Sequence, residues 1–287
     1  MLNLSLVTTF VALAETGSFV EAARQLGLAQ PTVSQQLKKL EMQLGVVLIE
    51  RSHGGCSLTA RGRAVLPQAR ALLRSAERFA AAAEGNQLAI GCSGNIASYY
   101  ISKDLKRFVD RVGNGMRWDI TCATNPEIAE QLSVGAIDIA AMEWPVPARG
   151  VAVRPWRVEP MVVIVPSDHR LAKSRSLTVD QLLELDLIGG EPGSGTGTLL
   201  RKALGRRAAK LRVTHNLRNT EAVKSAVEAG LGCSIVLARA VREEVAAGQI
   251  AMLTVRGVKL EKTFHIAFPE GLPDEALPMR LADFLSS

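Results

Sequence analysis

The spacing of apolar residues changes character at residue 88. Before it, one short hairpin aside, hydrophobic positions recur at helical intervals; after it, strand-length apolar runs alternate with helical ones. One core cannot serve both patterns. A chain of 287 residues is also too long for a single compact core and fits roughly two or three domains of about 100–150 residues.

In the first part, Leu6, Phe10, Leu13 and Ala14 mark one face of a helix over residues 3–16, with Asn3 as N-cap and Gly17 as stop. Ser18 caps a second helix, Phe19–Leu26, ended by Gly27. A third begins around Pro31, which a first turn tolerates, and carries Val33, Leu37, Leu40 and Leu44 up to Gly45. The second and third helices are joined as in a helix-turn-helix. Val46–Ile49, the turn His53-Gly54-Gly55 and Ser57-Leu58 then read as a two-stranded wing. Thr59 caps a long Ala-rich helix from Ala60 to about Ala83. Its stripe of Val65, Leu72, Leu73, Ala76 and Phe79 is expected to find nothing local to cover it and to pair with a second copy. Glu84-Gly85-Asn86 is the first linker.

From Leu88 the order is strand (Leu88–Cys92), helix, strand (Trp118–Ala123), helix, strand (Ile137–Met142), then apolar strands at Met161–Pro166, Leu187–Gly190, Val213–Leu217, Cys233–Leu237 and Phe264–Phe268, with a last helix at Leu277–Leu285. Such alternation predicts a parallel α/β sheet in two sub-domains, with the chain crossing near Pro166 and back near Phe264.

Composition narrows the function classes. No apolar run reaches the ~18–20 residues of a membrane span. The N-terminus has no basic region ahead of an apolar block, so the expected setting is soluble and cytoplasmic. The four cysteines form no Cys-x-x-Cys pair and the four histidines are scattered, which argues against zinc, a disulfide framework or any other metal cofactor. Net charge is +6, of which residues 1–87 carry +3, a balance that permits nucleic-acid binding.

Ligands of open α/β sheets sit beyond the carboxyl ends of strands. The loops there hold Ser93, Gly94 and Asn95, then Thr124 and Asn125, then Glu143, then Ser194, Gly195 and Thr196. Hydroxyls and free N–H groups at helix starts suit a small polar or anionic ligand, and Glu143 suits a cationic or hydroxyl group on it. These segments contain no Lys or Arg, so charge is expected to be met without them. The glycine-rich stretch is neither a phosphate loop nor a dinucleotide fingerprint, and no nucleophile–base constellation accompanies Ser194. Two rival readings stay open: a solute-binding module without a DNA role, and an α/β enzyme.

Phe10, Ala14, Gly17-Ser18-Phe19, Ala22-Ala23, Leu26, Gln30-Pro31, Val33-Ser34, Leu37, Leu40-Glu41, Leu44-Gly45, Leu48, Arg51, Leu58-Thr59 and Gly62 stand in an order and spacing that resembles the winged helix-turn-helix of LysR-type transcriptional regulators. Gly135-Ala136-Ile137-Asp138 and Ala229-Gly230-Leu231-Gly232 continue the resemblance along the chain. It implies a DNA-binding domain at 1–58, a linker helix at 59–87 and an effector domain at 88–287. That last domain is α/β, resembles periplasmic binding proteins, and has lobe I at about 88–165 and 265–287 and lobe II at about 166–264. It further implies a regulator, not an enzyme, with double-stranded DNA, a small-molecule co-inducer, RNA polymerase at promoters and a homodimer or homotetramer as partners. The third helix would enter the major groove, with Gln30, Pro31, Thr32, Ser34 and Gln35 at bases or sugars and Lys38 and Arg51 at phosphates. The wing tip departs from the family's basic pattern; His53 is the candidate there.

Overall fold

The computed structural model describes residues 2–52, 55–84, 87–113, 115–191 and 193–286, and for Arg51, Ser52, Arg78 and residues 81–84 the backbone alone. The chain divides into two compact units, Met1–Gln87 and Leu88–Ser287. Among the described residues no helix is long and apolar enough to cross a membrane.

The smaller unit opens with α1 (Leu4–Thr16), α2 (Phe19–Leu26) and α3 (Gln30–Leu44). The Asn3 side chain accepts from the Ser5 N–H and that of Ser18 from the Glu21 N–H, as the capping pattern requires. Phe10, Leu13, Ala22, Val33, Leu37, Leu40 and Leu48 form the buried centre. The first wing strand, β1 (Ile49–Ser52), starts later than the apolar run at Val46 suggests, whereas β2 (Gly55–Leu58) starts two residues before the expected Ser57. The reason for the late start of β1 is Glu41: its Oε1 accepts from the Leu48 N–H at 2.7 Å and the Ile49 N–H at 3.1 Å. Val46 N–H is already bonded to the Glu41 carbonyl, so 46–48 belong to the helix end and not to the ladder. The hairpin is seated on the α1–α2 turn, where the Cys56 N–H reaches the Gly17 carbonyl at 2.8 Å. A Cβ on Gly55 would lie 2.5 Å from the Gly17 carbonyl oxygen, which excludes a side chain there, and Gly17, at φ +64°, holds a backbone conformation that strains any other residue.

The long helix α4 (Ala60–Glu84) begins under Thr59, whose hydroxyl oxygen accepts from the Gly62 N–H at 2.9 Å, and continues through Pro67. Its stripe is not wholly uncovered, contrary to expectation. Ala69 is buried, and Val65, Leu66 and Leu73 pack on the core made by α1. Leu72 and Phe79, seven residues apart on one face, stay outside; Phe79 is 83% exposed. The linker at Gly85 and Asn86 lies outside the described residues.

The larger unit starts with β3 (Gln87–Cys92), α5 (Gly94–Tyr99), α6 (Ile101–Val112), β4 (Arg117–Cys122), α7 (Asn125–Ser133) and β5 (Ile139–Met142). There follow β6 (Val151–Pro166), β7 (Ser176–Leu177), α8 (Val179–Leu183), β8 (Asp186–Ile188), α9 (Gly195–Leu204) and a 3₁₀ segment, Gly205–Lys210. The chain closes with β9 (Arg212–His215), α10 (Thr220–Glu228), β10 (Ser234–Leu237), α11 (Arg242–Ala246), β11 (Ile250–Val255), β12 (Glu261–Pro269) and α12 (Leu277–Ser286). Strand order is β4-β3-β5-β12-β6-β11-β7, with β10 also on β6 and a separate β8-β9 pair.

The sheet is mixed and not purely parallel. β3 and β5 run parallel, but β12 is antiparallel to both β5 and β6. The apolar Met161–Pro166 is the second half of one sixteen-residue strand. Its first half pairs with β12 and its second with β10 and β11. The lobes therefore exchange near residues 160 and 260, six and four residues before the crossings expected at Pro166 and Phe264. Both faces of Met161–Val165 are covered, by different clusters, which is why that run shows no alternation.

Candidate functional site

Two regions collect the polar residues singled out in the sequence. The first is the outer face of α3. Gln30, Pro31, Gln35 and Lys38 are exposed; Thr32 and Ser34 are half-buried beside them. Gln30, Ser34 and Lys38 follow one another at i, i+4, i+8, and Pro31 and Gln35 lie alongside at the same interval. Gln36 turns inward, bonded to the buried Thr9 hydroxyl. Lys38 has no ion-pair partner among the described residues, so its charge is free for a phosphate. Arg51 stands on β1 opposite Cys56, its side chain outside the described residues, as is the whole of His53.

The second is a cleft of about 580 Å³ between the lobes of the larger unit. Of the nine loop residues expected there, Asn95, Thr124, Glu143, Ser194, Gly195 and Thr196 line it. Ser93, Gly94 and Asn125 do not. Ser93 and Asn125 are buried, and among the described residues Ser93 Oγ and Asn125 Oδ1 have no hydrogen-bond partner.

Several of the lining hydroxyls are already engaged. Ser194 Oγ donates to the Glu191 carbonyl at 2.8 Å and accepts from the Gly197 N–H at 2.9 Å. Thr124 gives both its N–H and its hydroxyl proton to Glu127, at 2.9 and 2.8 Å, and these bonds lower the Glu127 pKa. Thr196 has no such partner among the described residues and stands in the first turn of α9, where N–H groups face outward from the helix.

The charge expected to be absent is present. Lys262 and Glu143 face each other across 2.6 Å, both side chains under 10% exposed, on the cleft wall. Glu143 also accepts from Asn95 Nδ2 at 3.0 Å, and Asn95 Oδ1 accepts from the Thr220 hydroxyl at 2.7 Å. Glu143 is thus a buried, fully partnered acid. An ammonium carries three donors, and among the described residues one of Lys262's is taken, by Glu143. Arg218, exposed at the rim, has no ion-pair partner among the described residues. Lys262 lies on a late strand, outside the polar strand-end loops that mark the rest of the cleft in the sequence. One signal was available: it occupies the inward register of β12 together with Phe264 and Ile266.

The Asn95–Thr220 bond joins the lobes, and Tyr99 donates to Glu221 beside it. That bond lowers the Glu221 pKa, while burial and Glu221 together push the Tyr99 phenol far up. Trp144 of the first lobe lies against the start of α9: a Cβ on Gly195 would be 2.7 Å from its ring. Gly195 serves this close approach, while a Cβ on Gly197 would meet the Glu191 carbonyl oxygen at 2.1 Å. Among the described residues, no group of three or more His, Cys, Asp or Glu side chains could hold a metal ion.

Comparison with known proteins matches residues 4–63 to the bacterial regulatory helix-turn-helix protein family, lysR type, and residues 81–287 to the LysR substrate binding domain. PtxE of Stutzerimonas stutzeri is 45% identical over 196 residues, covering 68% of this chain and all of that protein. The RuBisCO operon transcriptional regulator of Allochromatium vinosum is 30% identical over 278 residues, covering 94% of this chain and 90% of its own. Full-length CbnR complexed with its target DNA superposes with a TM-score of 0.77 over 99% of both chains, at 25% identity.

Proposed function

The chain belongs to the LysR family of DNA-binding transcriptional regulators, and we propose from that premise how it reads DNA and what it senses. The outer face of α3 enters the major groove. Gln30 and Ser34 meet base edges, Pro31, Thr32 and Gln35 the flanking groups, and Lys38, Arg51 and His53 the backbone. Leu72 and Phe79 supply the uncovered part of a linker-helix pairing that brings two reading helices to two half-sites. The setting is the cytoplasm, where the DNA is. The cleft is read as a binding site: its buried acid, Glu143, and its buried lysine, Lys262, are paired with each other.

The effector is a small hydroxylated acid. Its anionic end meets the start of α9, Thr196 and Arg218; its hydroxyl end meets Glu143 and Lys262, which offer an acceptor and a donor side by side. The observation that carries this reading is the buried Lys262–Glu143 pair on the cleft wall. A paired charge there disfavours a second anion and favours a group able both to donate and to accept. Ligand bound across both lobes would bias the Asn95–Thr220 and Tyr99–Glu221 contacts and hence the angle between lobes.

The test is a thermal-shift screen of small acids against the full chain, with hydroxylated and deoxy members of each pair. Hydroxylated members should stabilise it and their deoxy partners should not. Thr196→Val with Arg218→Gln should remove the effect. A large apolar ligand, or unaltered affinity in that double variant, would refute the assignment.

A further inference from the structure

The net charge of the larger unit is not spread over it. Residues 201–212 hold Arg201, Lys202, Arg206, Arg207, Lys210 and Arg212 and no acid. Over residues 168–212 nine basic residues face five acidic ones, a net +4, against +3 for the whole of 88–287. The rest of the unit is therefore slightly acidic. The basic run occupies the end of α9, the 3₁₀ segment Gly205–Lys210 and the start of β9, and all six side chains are exposed.

Some of these cations have structural work. Arg207 pairs with Asp180, Arg212 with Asp186 at 2.8 Å, and Arg201 donates to the Thr198 hydroxyl at 3.1 Å. Lys202, Arg206 and Lys210 have no carboxylate partner among the described residues. Three unpaired like charges on one short ridge repel one another and add nothing to the fold. The buried contacts of this segment come from Leu200 and Leu204 on the opposite side. At about 1.5 Å per α-helical and 2.0 Å per 3₁₀ residue, Lys202 to Lys210 spans at most about 15 Å, the chain turning at Gly205. A duplex presents a phosphate about every 1.7 Å of its axis, so a ridge of that length can meet two or three phosphates.

We propose that this ridge is a second DNA contact, made by the effector domain to the phosphate backbone and independent of the helix-turn-helix. Composition favours a polyanion over an acidic protein partner. Between the cations lie Ala, Gly, the buried Leu204 and the half-buried Leu211, and the aromatic anchors that dominate protein–protein interfaces are missing from 201–212. A backbone contact requires no base-reading side chain, and none is present there.

The test uses the full chain and two duplexes of arbitrary sequence, about 20 base pairs, enough for one pair of reading helices, and about 60 base pairs. Affinity is measured as a function of salt. For Lys202→Gln/Arg206→Gln/Lys210→Gln, the slope of log K against log salt on the long duplex should become shallower by about two to three, near 0.9 for each phosphate lost. On the short duplex it should hold. Lys38→Ala, in the reading helix, should weaken binding to both lengths. Lys202→Arg/Lys210→Arg should keep the parent slope. A triple variant of equal charge change elsewhere, Lys103→Gln/Arg111→Gln/Arg149→Gln, should leave it unchanged. An unaltered slope in the ridge variant, or an equal loss in the control variant, would overturn the proposal while leaving the helix-turn-helix reading intact.

Discussion

Residues 30–38 present their polar groups from one helix, while the cleft assembles its groups from stretches scattered between Asn95 and Lys262. On α3 the buried side, Val33 and Leu37, holds the element, and the outer side exposes Gln30, Gln35 and Lys38. In the cleft the same side chains do both tasks. Ser194 and Thr124 cap or brace their helices, and Glu143 neutralises Lys262. A surface that needs no reorganisation suits a rigid ligand such as a duplex. A cleft whose groups already bond to one another changes arrangement when a ligand replaces one of those bonds, which is what a sensor requires.

The strongest way to break this contrast is to remove one member of the buried pair. Lys262→Met should destabilise the larger unit by about 3–5 kcal/mol, because it strands Glu143 without its counter-ion. Adding Glu143→Gln should recover much of that loss. Chemical denaturation of the two single variants and the double variant would measure it; simple additivity would show that the two groups do not act as a pair.

In the smaller unit the corresponding strut is Glu41. Glu41→Ala leaves the buried Leu48 N–H without its acceptor and should cost about 1.5–3 kcal/mol, loosening the wing from α3. DNA affinity should fall with stability, whereas Gln30→Ala should leave the melting temperature alone and reduce discrimination between sites by about 1–3 kcal/mol. Parallel melting and binding curves separate the two; equal melting losses would erase the distinction between support and reading.

The smallest effect concerns the contact between lobes. Glu221 has a lowered pKa, chiefly from the Tyr99 hydroxyl, so the stability it contributes is present above the ordinary carboxylate range and is lost as pH falls through the lowered value. Tyr99→Phe should therefore lower the melting temperature modestly at neutral pH, and the gap from the parent should close in acid. A gap that does not change with pH would mean the phenol matters only for packing.

The helices, their caps and the exposed polar face of α3 were legible in the sequence because each is decided locally. Asn3, Ser18 and the glycines at 17, 27 and 45 act on their own backbone, and the period of Leu6, Phe10 and Leu13 marks the inward side. The polar loops at the strand ends were legible for the same reason. Tertiary structure decided what those loops face. Neither the 2.6 Å meeting of Glu143 with Lys262, 119 residues apart, nor the cover that α1 provides for Val65 and Leu73 has a local signature. The late start of the wing likewise depends on one carboxylate of α3 capturing two amides beyond the turn. Local propensity acts over a turn of helix or a pair of strand residues; the pairing of a buried charge is set by whichever side chain the fold brings to it, because an unpaired charge cannot remain there.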